Sequence, residues 1–116
     1  MPNFAEQVVQ RLEDLGVKRI YGLVGDSLNP LSDAVRQSDI EWVHVRNEEA
    51  AAFAAGADSL ASDELAVCGA SCGPGNTHFV QGLYESHRDG AKVLAIASHI
   101  PTIEIGSSFF QETHPE

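Results

Sequence analysis

The feature that most constrains this chain is an unbroken alternation of helical and strand periods joined by short connections. Asn3 followed by Glu6 reads as a capping box, and Phe4, Val8, Leu12 and Leu15 recur at helical spacing until Gly16 stops the helix. Residues 19–24 (RIYGLV) read as a strand, followed by the turn Gly25-Asp26-Ser27. A second helix follows, with Asn29 as its cap and Pro30 in its first turn. Residues 42–45 (WVHV), 65–70 (LAVCGA) and 93–97 (VLAIA) read as three further strands. Between them lie an alanine-rich helix beginning at Asn47 and another opened by Gly73-Pro74-Gly75. Strands joined through helices run parallel with right-handed crossovers. The expected fold is therefore α/β, a doubly wound, mainly parallel sheet with helices on both faces. After Pro101 the period is lost.

In such folds ligands gather at the carboxyl ends of the strands. Three turns fall there: Gly25-Asp26-Ser27, Arg46-Asn47-Glu48, and Ser71 to Asn76. Composition narrows what they hold. Seventeen acidic against seven basic residues give a net charge of −10, which excludes the basic stripe of a nucleic-acid-binding domain and a polybasic membrane patch. An apolar content of 43% excludes a disordered acidic tail. No apolar run approaches the ~18 residues of a membrane span. Two cysteines, Cys68 and Cys72, in an α/β pattern fit a reduced, cytoplasmic protein.

Glu48 and Glu49 stand where a helix dipole favours acids, and that alone explains one of them. Adjacent helical residues point about 100° apart, so one of the pair should lean towards the sheet edge. Burial opposes a charge there and the dipole favours it. A carboxyl group held in that contest can share a proton with a ligand. Gly69-Ala70-Ser71-Cys72-Gly73 matches the G-x-S-x-G elbow of serine hydrolases, with Asp89 and His99 or His114 following in triad order. The same segment also reads as a small-residue turn that lets backbone approach a ligand closely. Gly73-Pro74-Gly75-Asn76 lacks the third glycine of a dinucleotide fingerprint and the lysine of a P-loop. Two cysteines four apart and five scattered histidines give no metal-ligand spacing, so no metal site is expected. Phe109-Phe110-Gln111 suits a pocket wall or a docking surface. A small serine hydrolase and a non-catalytic ligand-binding or interaction domain both remain open on these residues.

Five collinear segments, YGLVGDSLNPL, VRNEEAAAFAAGAD, ELAVCGASCGPGNTH, KVLAIASHIP and FFQETHPE, resemble the N-terminal pyrimidine-binding domain of thiamine diphosphate enzymes. The likeness is greatest to the pyruvate oxidase group, including pyruvate dehydrogenase (quinone), and it covers essentially the whole chain. The resemblance implies that Glu48 hydrogen-bonds the pyrimidine ring of thiamine diphosphate and promotes the tautomer that activates the thiazolium carbon for attack on pyruvate. It places Gly25, Asp26 and Ser27 beside the thiazolium, Gly73, Pro74 and Gly75 against the pyrimidine, and Phe110, Gln111 and His78 facing the substrate. Asn47 departs from the histidine common before this glutamate, although asparagine also serves as a helix cap.

The resemblance further implies oxidative decarboxylation of pyruvate to acetate and CO₂, with electrons passing through FAD to a quinone. Acetolactate-forming relatives share the glutamate and the Gly-Pro-Gly turn, so that alternative accompanies it. Enzymes of this group add a FAD-associated domain and a diphosphate-binding domain that holds Mg²⁺. Their sites form between this domain and the diphosphate-binding domain of another subunit of a homo-oligomer. Against that pattern, 116 residues read as part of a pyrimidine-binding domain, inactive alone, with apolar sheet edges that favour self-association.

Overall fold

The computed structural model describes residues 1–114. Its elements are α1 (Phe4–Asp14), β1 (Arg19–Leu23), α2 (Asn29–Arg36), β2 (Glu41–His44), α3 (Glu48–Ser62), β3 (Ala66–Ala70), α4 (Pro74–Thr77), α5 (Val80–Asp89) and β4 (Val93–Ala97). Short 3₁₀ turns cover Asp26–Leu28 and Thr102–Glu104. All strand pairs are parallel and the sheet order is β2-β1-β3-β4. This is the expected doubly wound α/β architecture.

The central strand β3 is buried along its whole length, which its small apolar sequence permits. Its side chains alternate between two cores. Val67 joins Ile20 and the inner faces of α1 and α2, while Ala66, Cys68 and Ala70 meet Ala51, Ala52, Ala55 and Phe79. On that second face α3 and α5 approach very closely. A Cβ on Gly82 would lie 2.5 Å from the Ala52 Cβ, so only glycine fits there.

The Asn3–Glu6 capping box forms, with Glu6 N donating to Asn3 Oδ1 at 2.9 Å and Asn3 N donating to Glu6 Oε2 at 2.8 Å. Three expectations are corrected. The inner stripe of α1 is Ala5, Val9 and Leu12, whereas Phe4 and Leu15 are exposed. Leu12 belongs to both stripes and Val8 is half-buried against the same core, but the face turned to the core runs through Ala5 and Val9 and leaves Phe4 and Leu15 outside it. Asn29 is the first residue of α2 rather than a side-chain cap, since the preceding 3₁₀ turn feeds directly into the helix and Asp26 O accepts its N–H. The helix after Gly73 is two pieces. Phe79 N donates back to Asn76 O in a tight turn before the regular ladder resumes with Leu83 N to Phe79 O.

Candidate functional site at the carboxyl ends of the strands

The order β2-β1-β3-β4 reverses direction between β1 and β3, and the crevice beyond their carboxyl ends is where such sheets place ligands. The loop after β1 and the turn after β3 meet there through serines. Ser27 Oγ lies 2.8 Å from Ser71 Oγ and 2.7 Å from Ser98 Oγ, and it accepts the Cys72 N–H at 3.0 Å. Ser98 Oγ in turn donates to Ala70 O at 2.9 Å, and Asn76 Nδ2 donates to Ser98 O at 2.6 Å. The loops are also pressed together sterically: a Cβ on Gly25 would collide with the Ser71 side chain. Gly73, at φ +77°, takes the left-handed bend that leads into α4.

Glu48 is the first residue of α3, behind the cap that Asn47 Oδ1 makes to Glu49 N at 2.8 Å. The expected division of the acidic pair holds, because Glu48 is only 9% exposed while Glu49 is half-buried. The Glu48 Oε2 lies 3.3 Å from Nδ1 of the half-exposed His78. Its Oε1 faces Gly75, where an added Cβ would approach to 3.1 Å. Glu48, Gly75 and His78 therefore form one group, held by two connections of the fold, the one after β2 and the one after β3.

A second group lines a cleft that does not include Glu48. This cleft, of about 330 Å³, is lined by Asp26, Ser27, Cys72, His99, Phe109 and Gln111 among others. The structure thus brings Asp26, Ser27 and Gln111 together. Phe110 is 82% exposed and stays outside this cleft, and its neighbour Phe109 lines the wall with their rings 4.7 Å apart. Gln111 also packs against Gly73, whose Cβ position is 3.1 Å from the Gln111 Cβ. Of the FFQETHPE segment, Pro115 and Glu116 fall outside the described residues.

Sequence reasoning missed Ser98 and Glu104, which complete the serine chain and the cleft, and it named His99 only as a triad candidate. A signal was present. Ser71 and Ser98 each follow directly on a strand's last residue, Ala70 and Ala97, so parallel register carries them to the same level. The hydrolase reading loses its geometry. Asp89 ends α5 at the opposite end of the sheet from Ser71, and His99 Nδ1 is taken by the Ile100 N–H at 2.7 Å. Among the described residues no cluster of three or more His, Cys, Asp or Glu is placed to hold a metal ion, and no helix is long and apolar enough to cross a membrane.

Residues 2–115 match the family described as thiamine pyrophosphate enzyme, N-terminal TPP binding domain. Similar proteins include an uncharacterized 42.6 kDa protein of Pseudomonas amyloderamosa, 59% identical over 97% of this chain and 28% of its own length. A probable acetolactate synthase large subunit of Methanocaldococcus jannaschii is 40% identical over 93% of this chain and 18% of its own. A pyruvate oxidase of Lactiplantibacillus plantarum is 38% identical over 90% of this chain and 18% of its own. The chain spans between about a fifth and a little over a quarter of the length of these relatives. The match covers nearly the whole chain, and the chain belongs to the N-terminal TPP binding domain family of thiamine pyrophosphate enzymes.

Proposed function

We propose that this chain supplies the pyrimidine-ring side of a thiamine diphosphate site in an enzyme acting on a 2-oxo acid such as pyruvate. The observation that carries the reading is Glu48: a nine-tenths buried carboxyl at a helix N-terminus, with a glycine opposite one oxygen. The carboxyl can share a proton with the ring nitrogen of an aminopyrimidine, and the missing Cβ of Gly75 spares its Oε1 a contact at 3.1 Å that would displace it. When bound, the cofactor supplies the electron sink for decarboxylation. The chain's own residues orient it. Glu48 holds the proton at the ring, His78 steadies the other carboxylate oxygen, and the Gly73-Pro74-Gly75 turn sets the ring's plane. Asp26 and Gln111 border the neighbouring cleft, where a small substrate would lie.

The diphosphate and its Mg²⁺ would be held by a diphosphate-binding domain, supplied by another subunit of a homo-oligomer. Two fates of the decarboxylated substrate fit. Condensation with a second 2-oxo acid, giving acetolactate, is the reading favoured by the 40% identity to a probable acetolactate synthase subunit. Oxidation to acetate, with FAD and a quinone as acceptors, is supported by the likeness to a pyruvate oxidase.

The test combines this chain with a diphosphate-binding domain, thiamine diphosphate, Mg²⁺ and pyruvate. Glu48→Gln should lower pyruvate consumption by about 100-fold or more, the usual scale for losing a proton-transfer group. Glu49→Gln should change it by less than about threefold, since that side chain serves the helix end. Undiminished consumption by Glu48→Gln would refute the reading. Product analysis then separates acetolactate from acetate with reduced quinone. A serine-directed fluorophosphonate should leave Ser71 unlabelled.

A further inference from the structure

We propose that Ser27 is a positioning residue, acting on the site through the Cys72 amide rather than by touching ligand. Its hydrogen-bond capacity decides this. A serine hydroxyl has one proton and two lone pairs. Ala70 O, a carbonyl, can only accept, so the Ser98 hydroxyl donates its proton there. Ser98 Oγ must then accept from Ser27, whose own proton is thereby committed. The two lone pairs of Ser27 Oγ take the Cys72 N–H and the Ser71 hydroxyl. Every capacity of Ser27 is used, and the chain of bonds runs one way, from Ser71 through Ser27 and Ser98 to Ala70 O.

The consequence concerns the turn beside Glu48. Cys72 precedes Gly73, and Gly73 O receives the Asn76 N–H at 3.1 Å to close the turn that carries Gly75. Anchoring the Cys72 amide therefore fixes the entry of the turn, and with it the distance from Gly75 to Glu48. Ser27 borders the cleft, but its hydroxyl has nothing left to offer a ligand. The functional meaning rests on the thiamine diphosphate reading; the bond pattern does not.

Amide hydrogen exchange in the ¹⁵N-labelled chain tests it. Ser27→Ala removes the acceptor, so the Cys72 amide should exchange about tenfold faster, the scale of one net hydrogen bond. Ser98→Ala leaves the acceptor but frees its orientation, and should accelerate Cys72 about threefold. Ser71→Ala should leave Cys72 within about twofold of wild type, because Ser71 only donates to the hub. Unchanged Cys72 exchange in folded Ser27→Ala, or equal acceleration by Ser71→Ala, would overturn the proposal. If Ser27→Ala does not fold, unchanged exchange in Ser98→Ala overturns it instead. A parallel titration with thiamine should shift the Gly75 amide, with affinity about tenfold weaker in Ser27→Ala. Absence of that shift in the wild-type chain counts against the cofactor reading alone, and the exchange rates still decide the role of Ser27.

Discussion

The Glu48 carboxylate and the α-carbon of Gly75 face each other so closely that one methyl group would close the space between them, its Cβ reaching 3.1 Å from Oε1. A contact that tight requires the neighbour to yield by a few tenths of an ångström. On the role proposed for Glu48, it can do so only by leaving the position from which it would serve a ring nitrogen. Gly75→Ala should therefore leave the fold nearly intact and lower 2-oxo acid turnover in the assembled enzyme by about 10- to 100-fold, as misplacement of a reacting group does. Steady-state kinetics beside a urea titration separate the two effects. Undiminished turnover would show that the gap serves packing alone.

A second glycine relationship bears on stability. Gly22 and Gly69 are register partners on β1 and β3, and the Trp42 indole lies across both. A Cβ on Gly22 would stand 2.5 Å from Trp42 Cζ2 and 2.6 Å from Gly69 O. Neither a packed indole nor a strand carbonyl moves cheaply. Gly22→Ala should destabilise the chain by about 1–3 kcal/mol, the cost of overpacking. Gly69→Ala, with its nearest contact at 3.2 Å, should cost less. Urea midpoints give the comparison, and equal midpoints for Gly22→Ala and wild type would contradict it.

These contacts mark where the sequence stops being informative. Period and turn chemistry locate the strands to within a residue or two, and parallel connectivity follows from the short crossovers. Asn47 was legible as a cap, and helical geometry showed that one acid of the Glu48–Glu49 pair turns inward; local chemistry did not say which, and only the family likeness pointed to Glu48. The partners were not legible. Nothing local tells that Gly22 makes room for Trp42, twenty residues on, or that Ser27 reaches Ser98. Phe109 and Phe110 show the same limit from the other side. The sequence marks an aromatic pair, but only the turn's path decides which ring faces the cleft.

The cap in front of Glu48 gives a local test. Asn47 Oδ1 satisfies the Glu49 amide at 2.8 Å, one of the free donors at the start of α3. Asn47→Ala should cost about 1 kcal/mol, and Asn47→Asp, which keeps the acceptor, much less. Both are measurable by thermal or urea denaturation. If Asn47→Ala is as stable as wild type, water replaces the cap and the α3 start is held by packing of Ala51 and Ala52 instead.

The last prediction concerns pH. Cys68 is fully buried in β3 between α3 and the sheet, and burial pushes its thiol up to about 12 from an ordinary 9.0. A raised acid means that the folded chain keeps a proton that the unfolded chain releases. Its contribution is complete below about pH 9 and is lost as pH rises towards 12. Across that window stability should fall with a slope of at most about 1.4 kcal/mol per pH unit from this group. Tyr21, whose hydroxyl is raised chiefly by burial, adds a slope of the same sign, so the informative quantity is a difference. Cys68→Ala should lower stability by a constant amount below pH 9 and converge on wild type above it. Urea titrations at pH 7, 9, 10 and 11 would show this; a gap between the two proteins that stays constant to pH 11 would mean that the Cys68 thiol ionises as readily in the folded chain as in the unfolded one.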